Sequence, residues 1–253
     1  MNKLEKLTIV REKLKNNLPT LGTWMQIPNA SIAEILGKSN YDWVAIDLEH
    51  GSFSLENLPN IFRSLELGNT LPLVRLQKGT DFECKSVLDA GAAGVIIPMV
   101  ESPDQLRSII SFCKWPPEGI RGVGFSRANL FGRNFNEYVK EAHNPLIIAM
   151  IENIKAVDEL DRIIDENGLD AIFIGPYDLS ASMGLTADFK NIKFINALNK
   201  ILDICTKKNI PYGIHVVKPD LNELNLRIKE NYQFIAYSID AFFLNSVCQN
   251  PII

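Results

Sequence analysis

Short apolar runs rich in β-branched residues recur along the chain at 20–26, 43–47, 71–75 and 94–98, and again at 146–152, 170–174, 211–216 and 233–237. Most are apolar throughout, as in Leu-Ile-Ile-Ala-Met-Ile at 146–151, rather than alternating with polar residues. That pattern belongs to parallel strands buried on both faces. Between the runs the period lengthens. Ile154, Val157, Leu160 and Ile163 recur every third residue, and Ile192, Ile195, Leu198, Ile201, Leu202 and Cys205 form a second helical stripe. A third stripe, Leu106, Ile109, Ile110 and Cys113, follows Ser102, Pro103 and Gln105, which read as a capping box.

Eight strands alternating with helices over this length predict one (β/α)8 barrel spanning residues 1–253, with no linker or low-complexity break. The competing fold is a doubly wound sheet. It would announce itself by a glycine-rich turn after its first strand, where this chain reads Met-Gln-Ile-Pro-Asn-Ala-Ser.

Composition narrows the function. The 253 residues carry 30 acidic and 26 basic side chains, a net charge of −4. A nucleic-acid binder would show a basic surplus, so that class is disfavoured. The charged N-terminus lacks the apolar core of a secretory signal, and no run of 18 apolar residues exists to cross a membrane. Cys84, Cys113, Cys205 and Cys248 lie far apart without a CxxC pair, which suggests buried reduced thiols and a cytoplasmic location.

In a barrel, chemistry sits at the C-terminal ends of the strands. Here those ends carry Asp47, Glu49 and His50 after the second strand, Arg75 after the third, Glu152 after the fifth, and Gly175-Pro176-Tyr177-Asp178 after the sixth. His215 ends the seventh, and the eighth runs into Ser238 and Asp240. Glu152 and Asp178 belong to adjacent strands. Two carboxylates brought close need a proton or a cation between them, and a hard divalent ion suits such a pair. The alternative for Asp178 is to cap a helix starting at Leu179. His50 suits general-base work near neutral pH, or a structural role. Arg75, at the end of a buried strand, either pairs with Asp47 or Glu49 or stabilises a developing oxyanion. His215 is a weaker candidate for a metal or substrate contact, and His143, just before the fifth strand, lies on the opposite face of the barrel. No strand contains or ends in a lysine, which disfavours a Schiff-base mechanism. The loops after the last two strands lack glycine, which weighs against a phosphorylated substrate.

Six stretches, in order from about residue 20 to residue 245, together resemble the metal-dependent (class II) 2-oxo-3-deoxy acid aldolases. That family includes 2-dehydro-3-deoxyglucarate and 4-hydroxy-2-oxoheptanedioate aldolases. The stretches are Tyr41–Gly51, Leu73–Arg75, Leu88–Gly91, Pro117–Gly124, Ile151–Glu152 and Phe173–Ser180. The resemblance implies a phosphoenolpyruvate/pyruvate-binding type of barrel, typically hexameric, that reversibly cleaves a 2-oxo-4-hydroxy acid to pyruvate and a small aldehyde through a metal-stabilised enolate. It implies Glu152 and Asp178 as ligands of Mg2+ or Mn2+, with Co2+ a further candidate, and no nucleotide cofactor. It implies His50 as base, Asp89 as an acid supporting that base from a neighbouring subunit, and Arg75 as enolate stabiliser. Gly175, Pro176, Tyr177 and Asp178, with Met150 and Phe173, would hold substrate; Asp47 and Glu49 would support them from behind. It places the enzyme in carbohydrate or aromatic catabolism. Two positions depart from the family pattern: Met150 where glutamine is frequent, and Tyr177 where alanine is usual. Both alter the pocket wall. The competing readings are a citrate-lyase-β-like lyase acting on a thioester or acyl-CoA, which would want a basic groove, and a non-catalytic binding barrel, against which the intact Glu152, Asp178, His50 and Arg75 argue.

Overall fold

The computed structural model describes residues 2–248, Asn250 and Ile252. Eight parallel strands close into a barrel in chain order, β1 pairing with β8. They are β1 Thr20–Met25, β2 Trp43–Asp47, β3 Leu71–Arg75, β4 Gly94–Ile97, β5 Leu146–Ile151, β6 Ala171–Ile174, β7 Tyr212–Val216 and β8 Phe234–Ile239. The helices around them are α1 Lys3–Lys15, α2 Ala30–Gly37, α3 Leu58–Glu66, α4 Asp81–Ala90, α5 Pro103–Cys113 and α6 Phe135–His143. They continue with α7 Ile154–Asp158, α8 Leu160–Ile163, α9 Pro176–Ser182, α10 Ile192–Lys208, α11 Leu221–Lys229 and α12 Asp240–Val247.

The fold class read from the sequence is corrected in its outer layer, which is not a simple alternation of strand and helix. α1 precedes the first strand and buries Leu7, Val10 and Leu14 against the barrel floor. A 3-10 turn at Arg127–Gly132 and α6 intervene between α5 and β5. The Ile154–Ile163 stripe is two short helices, α7 and α8, broken at Glu159. Two helices, α9 and α10, follow β6. A three-residue apolar period cannot report such breaks, because a kinked helix still turns its apolar side inward. The capping box at α5 is likewise incomplete. Ser102 accepts from Gln105 N at 3.2 Å, but the Gln105 side chain accepts from Glu101 N rather than from Ser102.

Two apolar layers hold the barrel. One lies between strands and helices; the other fills the interior with Trp43, Leu73, Ile148, Phe173 and Phe234. Trp43 stacks on Phe234 with ring centroids 4.1 Å apart. Gly22 makes room for this, since a Cβ there would stand 2.1 Å from the Trp43 ring. Packed side chains thus plug the floor and leave the C-terminal mouth for polar groups. Cys84, Cys113 and Cys205 are buried, whereas Cys248 is exposed, contrary to the expectation for all four. No helix among the described residues is long and apolar enough to cross a membrane.

Candidate active site

Asp47 and Arg75 end β2 and β3 as register partners. Arg75 Nε donates to Asp47 Oδ1 at 2.9 Å and Nη2 to Oδ2 at 2.7 Å. Nη1 lies 3.0 Å from Glu49 Oε2. Asp47, with 0% exposure, also accepts from Gln26 Nε2 at 2.9 Å and from Glu49 N and His50 N, both at 3.1 Å. Burial alone would raise its pKa. The Arg75 hydrogen bonds and charge, helped by Gln26 and the His50 amide, outweigh burial and hold the carboxyl below the usual range. Glu49, with fewer partners, is raised by burial despite Arg75. The chain then turns sharply: Gly51 N donates to Asp47 O at 3.1 Å, and a Cβ on Gly51 would stand 2.2 Å from that oxygen. This turn presents His50, exposed, at the cavity mouth.

Glu152 follows β5 and is only 2% exposed. Its Oε1 accepts from Met99 N at 2.6 Å, and Met99 adopts a left-handed backbone with φ of 49°. Burial pushes the Glu152 carboxyl up to about 7; the Met99 amide opposes the rise, while Glu49 and Asp178 add to it. Gly175 lies directly against it: a Cβ there would stand 2.6 Å from Glu152 Oε2. Gly175 also precedes α9, which starts at Pro176. Asp178 is therefore in the first turn of that helix and does not cap a helix beginning at Leu179. Its carboxylate is exposed and makes no hydrogen bond or ion pair among the described residues.

Glu152, Asp178, Arg75 and His50 all face one cavity of about 380 Å³. Gly175, Pro176, Tyr177, Met150 and Phe173 line it too, as does Asp47. Glu49 reaches it only through Arg75. Asp89 does not line it. It sits half-buried on α4, its pKa raised by burial and lowered by Arg121 and Lys85. His215 faces the cavity, with Nε2 3.1 Å from Ser238 O and its ring stacked 5.6 Å from Trp24. Burial drives its pKa down to about 4. His143 contacts Glu118, away from the mouth.

Sequence reasoning missed Gln26 and Trp24. Gln26 directly follows β1 and holds Asp47; Trp24 carries Arg75 over its ring, 4.5 Å from the centroid. The strand-end rule, applied to β1, would have found Gln26. Trp24 has no sequence signal beyond a large side chain in an apolar strand.

No cluster of three His, Cys, Asp or Glu side chains poised around one ion occurs among the described residues. Two carboxylates, Glu152 and Asp178, do line the same cavity, close enough for the charge of Asp178 to raise the pKa of Glu152. The buried, proton-retaining Glu152 and the unpartnered Asp178 fit a divalent cation, and the space beside Glu152 exists only because residue 175 has no side chain.

The model of the HpcH/HpaI aldolase/citrate lyase family matches residues 20–246. The chain belongs to that family. A protein of Escherichia coli O157:H7 named 2-keto-3-deoxy-L-rhamnonate aldolase is 38% identical over 233 residues, covering 91% of this chain and 86% of its own. Its namesake in Shigella dysenteriae serotype 1 is 33% identical over the same span. A solved family member from Burkholderia cenocepacia J2315 superposes with a TM-score of 0.87 at 28% identity, covering 94% of this chain and 95% of that one. This HpcH/HpaI barrel is an enzyme, a carbon–carbon lyase of the aldolase kind. The phosphoenolpyruvate/pyruvate-binding label that the resemblance implied for the barrel is replaced by the HpcH/HpaI family, which is what the match over residues 20–246 supports.

Proposed function

We propose that this HpcH/HpaI aldolase reversibly cleaves a 2-oxo-4-hydroxy acid of the 2-keto-3-deoxy type to pyruvate and an aldehyde, with a divalent cation held by Glu152 and Asp178. The observation that carries the reading is the pairing of these carboxylates beside Gly175, in the same cavity as His50 and Arg75. When bound, such a cation supplies Lewis-acid charge to the oxygens of the 2-oxo acid.

The chain's own groups divide the remaining work. Arg75, fixed by Asp47 and Glu49, places positive charge where an enolate oxygen develops. His50 accepts the proton of the 4-hydroxyl as the C3–C4 bond breaks and the bonding pair moves into the enolate. The aldehyde leaves, and a proton returned to C3 completes pyruvate. Gln26 and the His50 amide keep Asp47 aligned, so Arg75 does not swing toward substrate. The free amides at the start of α9, around Tyr177 and Asp178, suit the substrate carboxylate.

Assembly as a homo-oligomer, a hexamer by family analogy, is part of this reading. Asp89 lies outside its own barrel's cavity, so it supports a histidine only across a subunit boundary. A thioester lyase fits less well: the cavity wall carries a single guanidinium, already paired, and no lysine among the described residues.

The test is pyruvate release from a panel of 2-oxo-4-hydroxy acids, with divalent metal and with chelator. Release that chelator abolishes and metal restores is expected. Release from the Glu152→Gln protein at the normal rate would refute the metal assignment.

A further inference from the structure

A second cavity, of about 300 Å³, lies at the other end of the barrel from the active site. Leu71 and Pro72, which open β3, line it, whereas Arg75, which closes the same strand, lines the active-site cavity. The extended chain between them spans about 10–13 Å. α1 contributes Lys3 and Lys6, the end of α3 Glu66, the 3-10 turn Arg127, and the approach to α6 Asn134.

Its cations are unequally engaged. Lys3 Nζ lies 2.9 Å from Glu141 Oε2 and donates to Gly91 O at 3.3 Å. Arg127 Nη2 donates to Glu66 Oε2 at 2.5 Å and Nη1 to Ala90 O at 2.9 Å. Those two pairs occupy both carboxylates of the lining. Lys6 has no carboxylate of its own. Its side chain is only 18% exposed, and Asp42 Oδ1 stands 4.0 Å away. Asp42 is already gripped by Lys13 Nζ through both oxygens, at 2.7 and 2.9 Å, and accepts from Leu21 N at 3.0 Å. Among the described lining residues three cations therefore face two carboxylates, and Lys6 holds the surplus charge. A largely buried ammonium without a close counterion calls for an anion.

Uncharged polar groups complete the lining. Asn134 precedes α6 without a side-chain cap bond, and neither its amide nor that of Asn69 hydrogen-bonds a described residue. Asn2 Oδ1 accepts from Glu5 N at 2.8 Å, which leaves Nδ2 free. A free amide offers both a donor and an acceptor, the pair of roles a hydroxyl answers. No described histidine or cysteine lines the cavity, so its use is binding rather than covalent chemistry.

We propose that this cavity binds a small hydroxylated monocarboxylate, its carboxylate on Lys6 and its hydroxyls on Asn69, Asn134 and Asn2. The site stands apart from the aldolase reading, because none of these residues lines the active-site cavity. One surplus positive charge matches one carboxylate. A neutral polyol would leave Lys6 without its anion, and an apolar acid would forgo the amides.

The experiment titrates D-gluconate, sorbitol and hexanoate by calorimetry into the full chain freed of divalent metal, which removes chelation at Glu152 and Asp178 as a source of binding. D-Gluconate carries both charge and hydroxyls; sorbitol lacks the charge, and hexanoate lacks the hydroxyls. D-Gluconate is expected to bind at one site per chain, roughly tenfold or more tightly than either of the others. Lys6→Met, which keeps the aliphatic stem, should lose about tenfold or more in gluconate affinity, the worth of one charge-assisted hydrogen bond. Asn134→Ala changes an exposed side chain with no bond to lose, so it should fold as the parent does by circular dichroism and bind gluconate more weakly. No gluconate binding by the parent chain overturns the proposal. So does sorbitol or hexanoate binding as tightly as gluconate, or a gluconate affinity unchanged in either folded variant.

Discussion

Arg75 and Asp47 stand opposite each other at the ends of neighbouring strands and share two parallel hydrogen bonds of 2.9 and 2.7 Å. The ion pair weighed in the sequence is thus real, and it coexists with a position on the cavity wall. Arg75→Ala strands a fully buried carboxylate. That should cost about 3–5 kcal/mol, a fall of roughly 6–20 °C in thermal midpoint for a chain of this length. The folded fraction should also lose about 10²–10³-fold in turnover if Arg75 stabilises the enolate. Arg75→Lys should remain impaired, since an ammonium cannot span Asp47 and Glu49 as the planar fork does. A large fall in midpoint with turnover intact would make Arg75 structural only.

Gly175→Ala tests the space beside Glu152. Its Cβ would fall 2.6 Å from Glu152 Oε2, so the carboxylate must move. A displacement near 1 Å should cost on the order of 10²-fold in metal-dependent turnover. Circular dichroism should remain that of a folded barrel. Full activity in this variant would show that Glu152 has no fixed geometric task.

The Glu152 carboxyl makes the metal-free protein sensitive to base. Its folded pKa, about 7, lies above the ordinary value of 4.5, so the folded state holds a proton that the unfolded chain has lost. Stability from this group is full below about pH 4.5 and drains away as pH rises through 7, by on the order of 3 kcal/mol in all. Chelated wild-type protein should therefore melt lower at pH 8 than at pH 6, relative to Glu152→Gln. Divalent metal should tighten its binding over the same window and erase the difference. Parallel melting curves for both proteins would disprove this titration.

Asp89 and His50 can be separated genetically. Neither His50→Ala nor Asp89→Asn should be active alone. Co-expressed, the two should recover activity in about a quarter of sites, by random pairing of subunits in a closed assembly. A mixture as inactive as its parents would place both residues within one subunit or remove Asp89 from catalysis.

Much of this was legible in the chain. The β-rich runs, most of them apolar throughout, fall on all eight strands within a residue or two, because strands buried on both faces favour apolar side chains along most of their length. Placing chemistry at strand ends then identified Asp47, His50, Arg75, Glu152 and Asp178, all on one cavity wall. α1 went unread, since only three of its thirteen residues are buried and its polar surface hides them.

What the sequence determined by itself is therefore the strand set and the kind of group each strand end carries, both written locally in side-chain type and period. Tertiary structure alone decided which of those groups meet. That Arg75 takes two acids at once, that Gln26 aligns Asp47, and that Gly175 stands aside for Glu152 all depend on closing the barrel. Their partners, likewise, separate two equally buried carboxylates: Asp47 is held ionised by Arg75 and its other donors, while Glu152, with one amide and two acidic neighbours, keeps its proton to about pH 7.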